Sequence, residues 1–200
     1  MIEPVMTRSI IATVGMCGSG KSVAGERLEA LGFVKVYFGG LTIEEVKRRG
    51  LPVNEKNERA VREELRRTHG MGAFAVLSLP AIEAALREGR RVLIDGLYSY
   101  SEYKILKEKY GDGLLILAVF TPRHLRYNRL ARRPVRPLTI EEAVSRDYSE
   151  IENLEKGGPI ALADYTLVND GTREQLVTAL DKILRLERVV EDENLGELRS

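Results

Sequence analysis

Gly15-Met16-Cys17-Gly18-Ser19-Gly20-Lys21-Ser22 constrains this chain more than any other stretch. Several backbone N–H groups can converge on one anion only where side chains leave the approach open, and glycines at 15, 18 and 20 do so. Such a loop needs a strand before it to fix its start. It needs a helix after it, whose first N–H groups and positive partial charge complete the cradle. Both flanks are present. Ser9 to Val14 is a short, β-branched apolar run that suits a buried strand. Ala24, Leu28 and Leu31 recur at helical spacing, and Gly32 is placed to end that helix. In this setting Lys21 reaches the β- and γ-phosphates of a nucleotide and the Ser22 hydroxyl binds Mg²⁺. Gly15, Gly18, Ser19, Gly20, Lys21 and Ser22 are therefore the expected phosphate-binding residues.

The rest of the chain continues the alternation of strand and helix. Phe33 to Phe38, Arg91 to Asp95, Leu114 to Phe120 and Tyr165 to Val168 read as further strands. The run at 114–120 is apolar throughout, as in a central parallel strand covered on both faces. Gly39-Gly40 closes the second strand, and Thr42 with Glu45 reads as a capping box opening the next helix. Asn54 caps a helix with Val61 and Leu65 on one face. Ala75, Leu79, Ile82 and Leu86 mark another, in which Pro80 either forces a kink or delays the start. Ser99 with Glu102, Thr139 with Glu142 and Thr172 with Gln175 cap later helices. The helix from Thr139 is expected to stop at Gly157-Gly158-Pro159, and the charged tail from Glu191 is expected to fray.

This order of elements predicts a single α/β domain over residues 1–200. The fold expected is that of the P-loop NTPases: a three-layer sandwich around a five-stranded parallel sheet, with helical insertions. Ligands bind beyond the carboxyl ends of such strands, where Gly15 and Asp95 both fall. Composition narrows the partners. The formal net charge of +1 offers no bulk field for nucleic acid or a membrane surface. No apolar run approaches a membrane span, and Glu3 and Pro4 break what a signal peptide needs. One cysteine, Cys17, cannot form an internal disulfide. A cytoplasmic monomer or homodimer with small-molecule partners is expected.

The remaining candidates follow from the chemistry of phosphate. Asp95 ends an apolar strand beside the loop, where a carboxylate can hold the water shell of Mg²⁺ or accept a proton from an acceptor hydroxyl. Phosphoryl transfer needs positioned positive charge, and arginine's planar fork grips phosphate oxygens in pairs. Arginines cluster at 59–67 and 123–136. The first group marks an acceptor-binding insertion over 41–75, the second a lid over 123–138. His69 and His124 have no partner at metal-ligand spacing.

The loop, the Asp95-Gly96 strand end, the arginine-rich segment after Phe120, and the stretches EIENLEKGGPIALADY and ADYTLVNDGT together resemble the P-loop nucleotide and nucleoside kinase superfamily. The resemblance is to its dephospho-CoA-kinase-like and adenylate-kinase-related branch, and it runs from about Ile10 to Leu184. It implies ATP on the loop with adenine near Asn169, Gly171 and Thr172. It implies an acceptor, a nucleoside monophosphate or dephospho-CoA, near Arg66. It further implies lid arginines at Arg129, Arg132, Arg133 and Arg136, and a phosphate-binding Arg146. Two positions depart from the pattern. Phe38-Gly39-Gly40 stands where dephospho-CoA kinases carry an acidic residue, and Tyr98 stands where related proteins carry an arginine. The alternative expectation is an ATP- or AMP-binding regulator with little or no transfer.

Overall fold

Five short segments of this chain are rich enough in β-branched and apolar residues to be buried as strands, and all of them pair in parallel. In the computed structural model, which describes residues 8–134 and 137–190, they are β1 Ile10–Val14, β2 Val34–Tyr37, β3 Val92–Asp95, β4 Leu114–Phe120 and β5 Tyr165–Val168. Their order across the sheet is β2-β3-β1-β4-β5. The helices are α1 Lys21–Ala30, α2 Phe38–Arg48, α3 Glu55–His69, α4 Ala73–Arg87, α5 Tyr100–Tyr110, α6 Arg123–Arg132, α7 Ile140–Glu152, α8 Gly157–Ala161 and α9 Arg173–Leu186.

Alternation along each strand sends side chains to two separate cores. Ile11, Leu93, Leu115 and Leu117 meet Leu28 of α1 with Leu176 and Leu180 of α9. Ile10, Val92, Ile94 and Ile116 meet Phe74 and Ile82 of α4 with Leu106 of α5. β1 is buried along its whole length and β4 up to Val119, so each of their leucines and isoleucines contributes roughly 1.5–3 kcal/mol by leaving water. The sheet therefore forms the middle layer of a three-layer α/β sandwich, as expected. Residues Thr13 and Asp95 lie in register across β1 and β3, which brings the end of β3 beside the start of the loop.

Local signals for helix starts were mostly followed. Asn54 accepts a hydrogen bond from the Asn57 backbone N–H, and Ser99, Thr139 and Thr172 each complete a capping box. Two expectations are corrected, and of the two readings of Pro80 the late start is excluded. Gly39-Gly40 does not close β2; α2 starts at Phe38, and Thr42 sits inside it. The ring of Tyr37 folds back over the two glycines, where a Cβ on Gly39 would come within 2.5 Å of it. Gly157-Gly158-Pro159 does not end a helix but forms the first turn of α8. A proline there sacrifices an N–H that has no partner in any helix. α7 stops earlier, at Glu152. Pro80 neither delays nor ends α4, which runs from Ala73 through it to Arg87. The insertion between β2 and β3 consists of α2, α3 and α4, with α3 and α4 meeting at 85°. Among the described residues no single helix is long and apolar enough to cross a membrane.

Candidate active site

The loop between β1 and α1 is held open by its glycines and tied down from outside. Gly20 takes φ +94°, a region costly for any residue with a side chain. Lys21 Nζ donates to the carbonyl oxygens of Gly15 at 2.8 Å and Met16 at 3.2 Å. Arg126 donates to the Cys17 carbonyl at 3.1 Å and grips Asp147 through both guanidinium nitrogens. Asn169 Nδ2 donates to the Ser19 carbonyl at 2.8 Å, and the Thr121 hydroxyl lies 2.9 Å from that same oxygen. A trans peptide points its N–H opposite to its C=O. Holding the carbonyls of Cys17 and Ser19 outward therefore turns the N–H groups of Gly18 and Gly20 the other way, into the loop's concave side. The Ser19 hydroxyl is buried without a hydrogen-bond partner, which is costly unless a ligand oxygen meets it. The loop thus fits a phosphate group.

A cleft of about 440 Å³ opens from the loop along the ends of β2 and β3. Lys21 and Ser22 line it from α1, Lys35 and Tyr37 from β2, and Asp95 and Tyr98 from the end of β3. Arg133 closes it from beyond α6. Lys35 Nζ sits 3.3 Å from Asp95 Oδ2 and 3.0 Å from Glu29 Oε1. Burial, with the charge of Lys156 second, lowers the Lys21 ammonium to about 8. Burial, then the neighbouring Tyr37 and Asp95, hold the Tyr98 hydroxyl well above its ordinary value, so it is a neutral donor. Ser22 and Asp95 are oxygen donors on one cleft. No cluster of three or more metal-ligating residues occurs among the described residues. That pairing suits Mg²⁺, which keeps several waters and takes only one or two protein oxygens.

The expected site residues divide into those brought to this cleft and those placed elsewhere. The loop residues, Asp95 and Arg133 meet there. Arg129 donates to Thr121 Oγ1 at 3.2 Å and to the Asn169 carbonyl at 3.1 Å, so it braces the end of β5 against the loop. Of the stretch after β5, Asn169 touches the loop. The Thr172 hydroxyl is engaged in capping α9, and Gly171 makes room for Gln175. Arg66 lies over the Phe74 ring at 5.0 Å, with its Nε buried and unpartnered. Arg132 is exposed, and Arg146 pairs with Glu150 at 3.4 Å. Arg136 and part of the 123–138 segment lie outside the described residues. In the first half of that segment Arg126 and Leu130 of α6 are buried.

Sequence reasoning missed Lys35, Tyr37, Thr121, Arg126, Glu150 and Lys156. The alternation in FVKVYF was the available signal for two of them, because it places Lys35 and Tyr37 on the face that Asp95 shares. Nothing in the spacing of the other four marks them.

A parallel 2-3-1-4-5 sheet around such a loop defines the fold of the P-loop kinases. The shikimate kinase from Bacteroides thetaiotaomicron superposes with a TM-score of 0.56 at 16% identity, covering 90% of this chain and 98% of that one. The dephospho-CoA kinase from Campylobacter jejuni does so with a TM-score of 0.51 at 14% identity, covering 90% and 97%. At these identities the likeness is one of fold. Comparison with protein-family models finds no match. Closer relatives are found by sequence. A UPF0200 protein of Thermococcus kodakarensis is 35% identical over 178 residues, 88% of this chain and 96% of the relative. Another, from Aeropyrum pernix, is 38% identical over 171 residues, 84% and 88% of the two chains. The chain belongs to the UPF0200 family.

Proposed function

We propose that the chain is an ATP-dependent phosphotransferase. It moves the γ-phosphoryl group of ATP to a small nucleotide-like acceptor, in the class of nucleoside monophosphates or dephospho-CoA. The observation that carries this reading is the placement of Asp95 and Lys21 on one cleft that continues past the loop toward Tyr37, Tyr98 and Arg133. The residues beyond the loop, Lys35, Tyr37, Tyr98 and Arg133, offer polar groups to a second ligand beside the phosphates.

The roles follow from charge. The loop N–H groups and Lys21 hold the β- and γ-phosphates, while Asn169 fixes the loop beside the place for adenine, near Gly171 and Thr172. Ser22 and Asp95 would hold Mg²⁺, which would neutralise phosphate charge. Asp95 also stands where it can take the acceptor hydroxyl's proton. The new bond joins that oxygen to the γ-phosphorus, the bond to the β-phosphate oxygen breaks, and ADP leaves with the electron pair. Arg129, Arg132 and Arg133 are the candidate cations on the lid side, and Arg66 and Arg146 those for the acceptor; the same role for Arg136 falls outside the described residues. A screen of nucleoside monophosphates, nucleosides and dephospho-CoA with ATP and Mg²⁺, read as phosphorylated product and ADP in equal amounts, tests the reading. It fails if no acceptor is phosphorylated.

One observation favours a second reading, a nucleotide-binding regulator with little or no transfer. β2 runs straight into α2 through Tyr37-Phe38-Gly39-Gly40, with no carboxylate at these positions. Saturable ATP or AMP binding without product in the same screen would select it.

A further inference from the structure

Behind the Tyr98 ring lies a charged cluster of which two members, Lys156 and Glu150, have no part in the proposed transfer. Lys156, the residue before α8, is buried to 1% exposure. Its ammonium sits 2.9 Å from Glu150 Oε2 and 5.0 Å from the centre of the Tyr98 ring, the ring that lines the cleft. Glu150, on the last turns of α7, is itself buried, with its side chain 8% exposed, and Arg146 approaches its other oxygen at 3.4 Å. The charges of Lys156, Arg146 and Lys21 all act on this one carboxylate. Lys21 in turn feels Lys156 more strongly than it feels Asp95. Asp95, the carboxylate that lines the cleft, is held by Lys35.

The charge of Lys156 is, after burial, the largest cause that lowers the Lys21 ammonium, and such mutual repulsion disfavours both charged forms in the free protein. An anion between or beside them reverses the sign. A carboxylate carries one negative charge and a terminal phosphate about two. Lys156, Arg146 and Lys21 outnumber Glu150, although the buried Glu102 carboxyl also lies in the field of Lys156, and the Tyr98 ring joins this cluster to the cleft that holds the loop.

We propose that Lys156 is a second phosphate-binding cation of this site, and that Glu150 is the counter-ion that holds it until a phosphate chain takes Glu150's place. The ligand class is the polyphosphate chain of a nucleotide or the phosphate of its acceptor. The inference rests on the loop being a phosphate site but not on transfer taking place. A salt bridge kept only for structure makes a different prediction, because removing either partner of a buried pair leaves the other unpaired and destabilises the protein.

Inorganic pyrophosphate is the probe, with binding to the full chain measured by calorimetry at pH 7. Lys156→Met is expected to weaken pyrophosphate binding about tenfold, and Lys156→Arg to restore most of it. Glu150→Gln removes the competitor and is expected to tighten binding about threefold or more. Opposite signs at the two ends of one ion pair support the proposal. Unchanged affinity in both, or weakening in both, overturns it. The double variant Lys156→Met/Glu150→Gln leaves no unpaired charge. If Lys156→Met alone does not fold, the double variant decides: weaker binding than in Glu150→Gln supports the proposal, and equal binding overturns it. Lys21→Ala separates the two layers. If it alone loses pyrophosphate, the loop assignment stands and the Lys156 assignment falls. If it too binds normally, the loop assignment falls.

Discussion

Gly20 and Asn169 are packed so closely that a single methyl group on Gly20 would sit 2.1 Å from Asn169 Nδ2. Asn169 follows the edge strand β5, and its amide holds the Ser19 carbonyl. Gly20→Ala must therefore either expel the Asn169 side chain or distort the loop, and its φ of +94° is costly for alanine in either case. A loss of about 1–3 kcal/mol in stability is expected. Nucleotide binding should fall below detection even where the variant remains folded. Thermal unfolding and nucleotide titration on the same sample check both parts, and near-normal ATP affinity would show that the packing does not govern the loop.

Asp95→Asn is expected to lower the rate of transfer by about 10²-fold or more while changing ATP affinity only a few-fold. The side chain keeps its shape and can still face Lys35, but it can no longer take a proton or offer full charge to Mg²⁺. Parallel losses in rate and affinity would instead assign Asp95 to holding Lys35 and the end of β2.

The Lys21 ammonium, lowered to about 8 by burial and then by Lys156, makes nucleotide binding depend on pH in a defined direction. The phosphates of ATP are already ionised above pH 7. Binding them favours the charged lysine, so one proton is taken up on binding once the free ammonium has begun to titrate. ATP affinity should be level near pH 7 and decline as pH rises through about 8. Calorimetry in buffers of different ionisation enthalpy should find this uptake near pH 8.5 and lose it in Lys21→Met. The same lowered value makes the free protein gain stability from this group between about 8 and 10.5, where the unfolded chain still holds the proton.

Glu102 gives a second pH signature, in stability. Burial raises its carboxyl to about 7 although the backbone N–H groups of Tyr98 and Ser99 donate to it. Its other oxygen, Oε1, is buried without a partner. A raised carboxyl binds its proton more tightly in the folded state. Its contribution is thus present below about 4.5 and is lost as pH rises to about 7, a swing of up to about 3 kcal/mol. Glu102→Gln should flatten the decline in unfolding temperature between pH 5 and 8. An unchanged slope would mean that the carboxyl is already ionised at pH 5.

Much of this architecture was legible because it is written locally. The loop, the apolar run of β4 and the three capping boxes depend on residues within a few positions of one another. Errors arose where a distant or bulky partner changed the meaning of a local signal. Gly39-Gly40 reads as a break, yet the two glycines are flat ground for the Tyr37 ring at the start of α2. Lys156 and Glu150 lie six positions apart across the turn between α7 and α8, and only the packing of Lys156 on the Tyr98 ring ties them to the cleft that Tyr98 lines. Arg126 was grouped with the other arginines of its segment, while the structure buries it against Asp147 with its guanidinium on the Cys17 carbonyl.

The sheet order has a consequence for how such a chain can diverge. Lys35 and Tyr37 hang on one edge strand, Asn169 on the opposite edge, and the three strands between them fix the register of both. Neither edge pairs with the other, so substitutions on β2 and α2 need no compensation on β5. A lineage built this way can trade one acceptor for another by drift at one margin of the sheet while its grip on the loop, set at the other margin, is inherited unchanged.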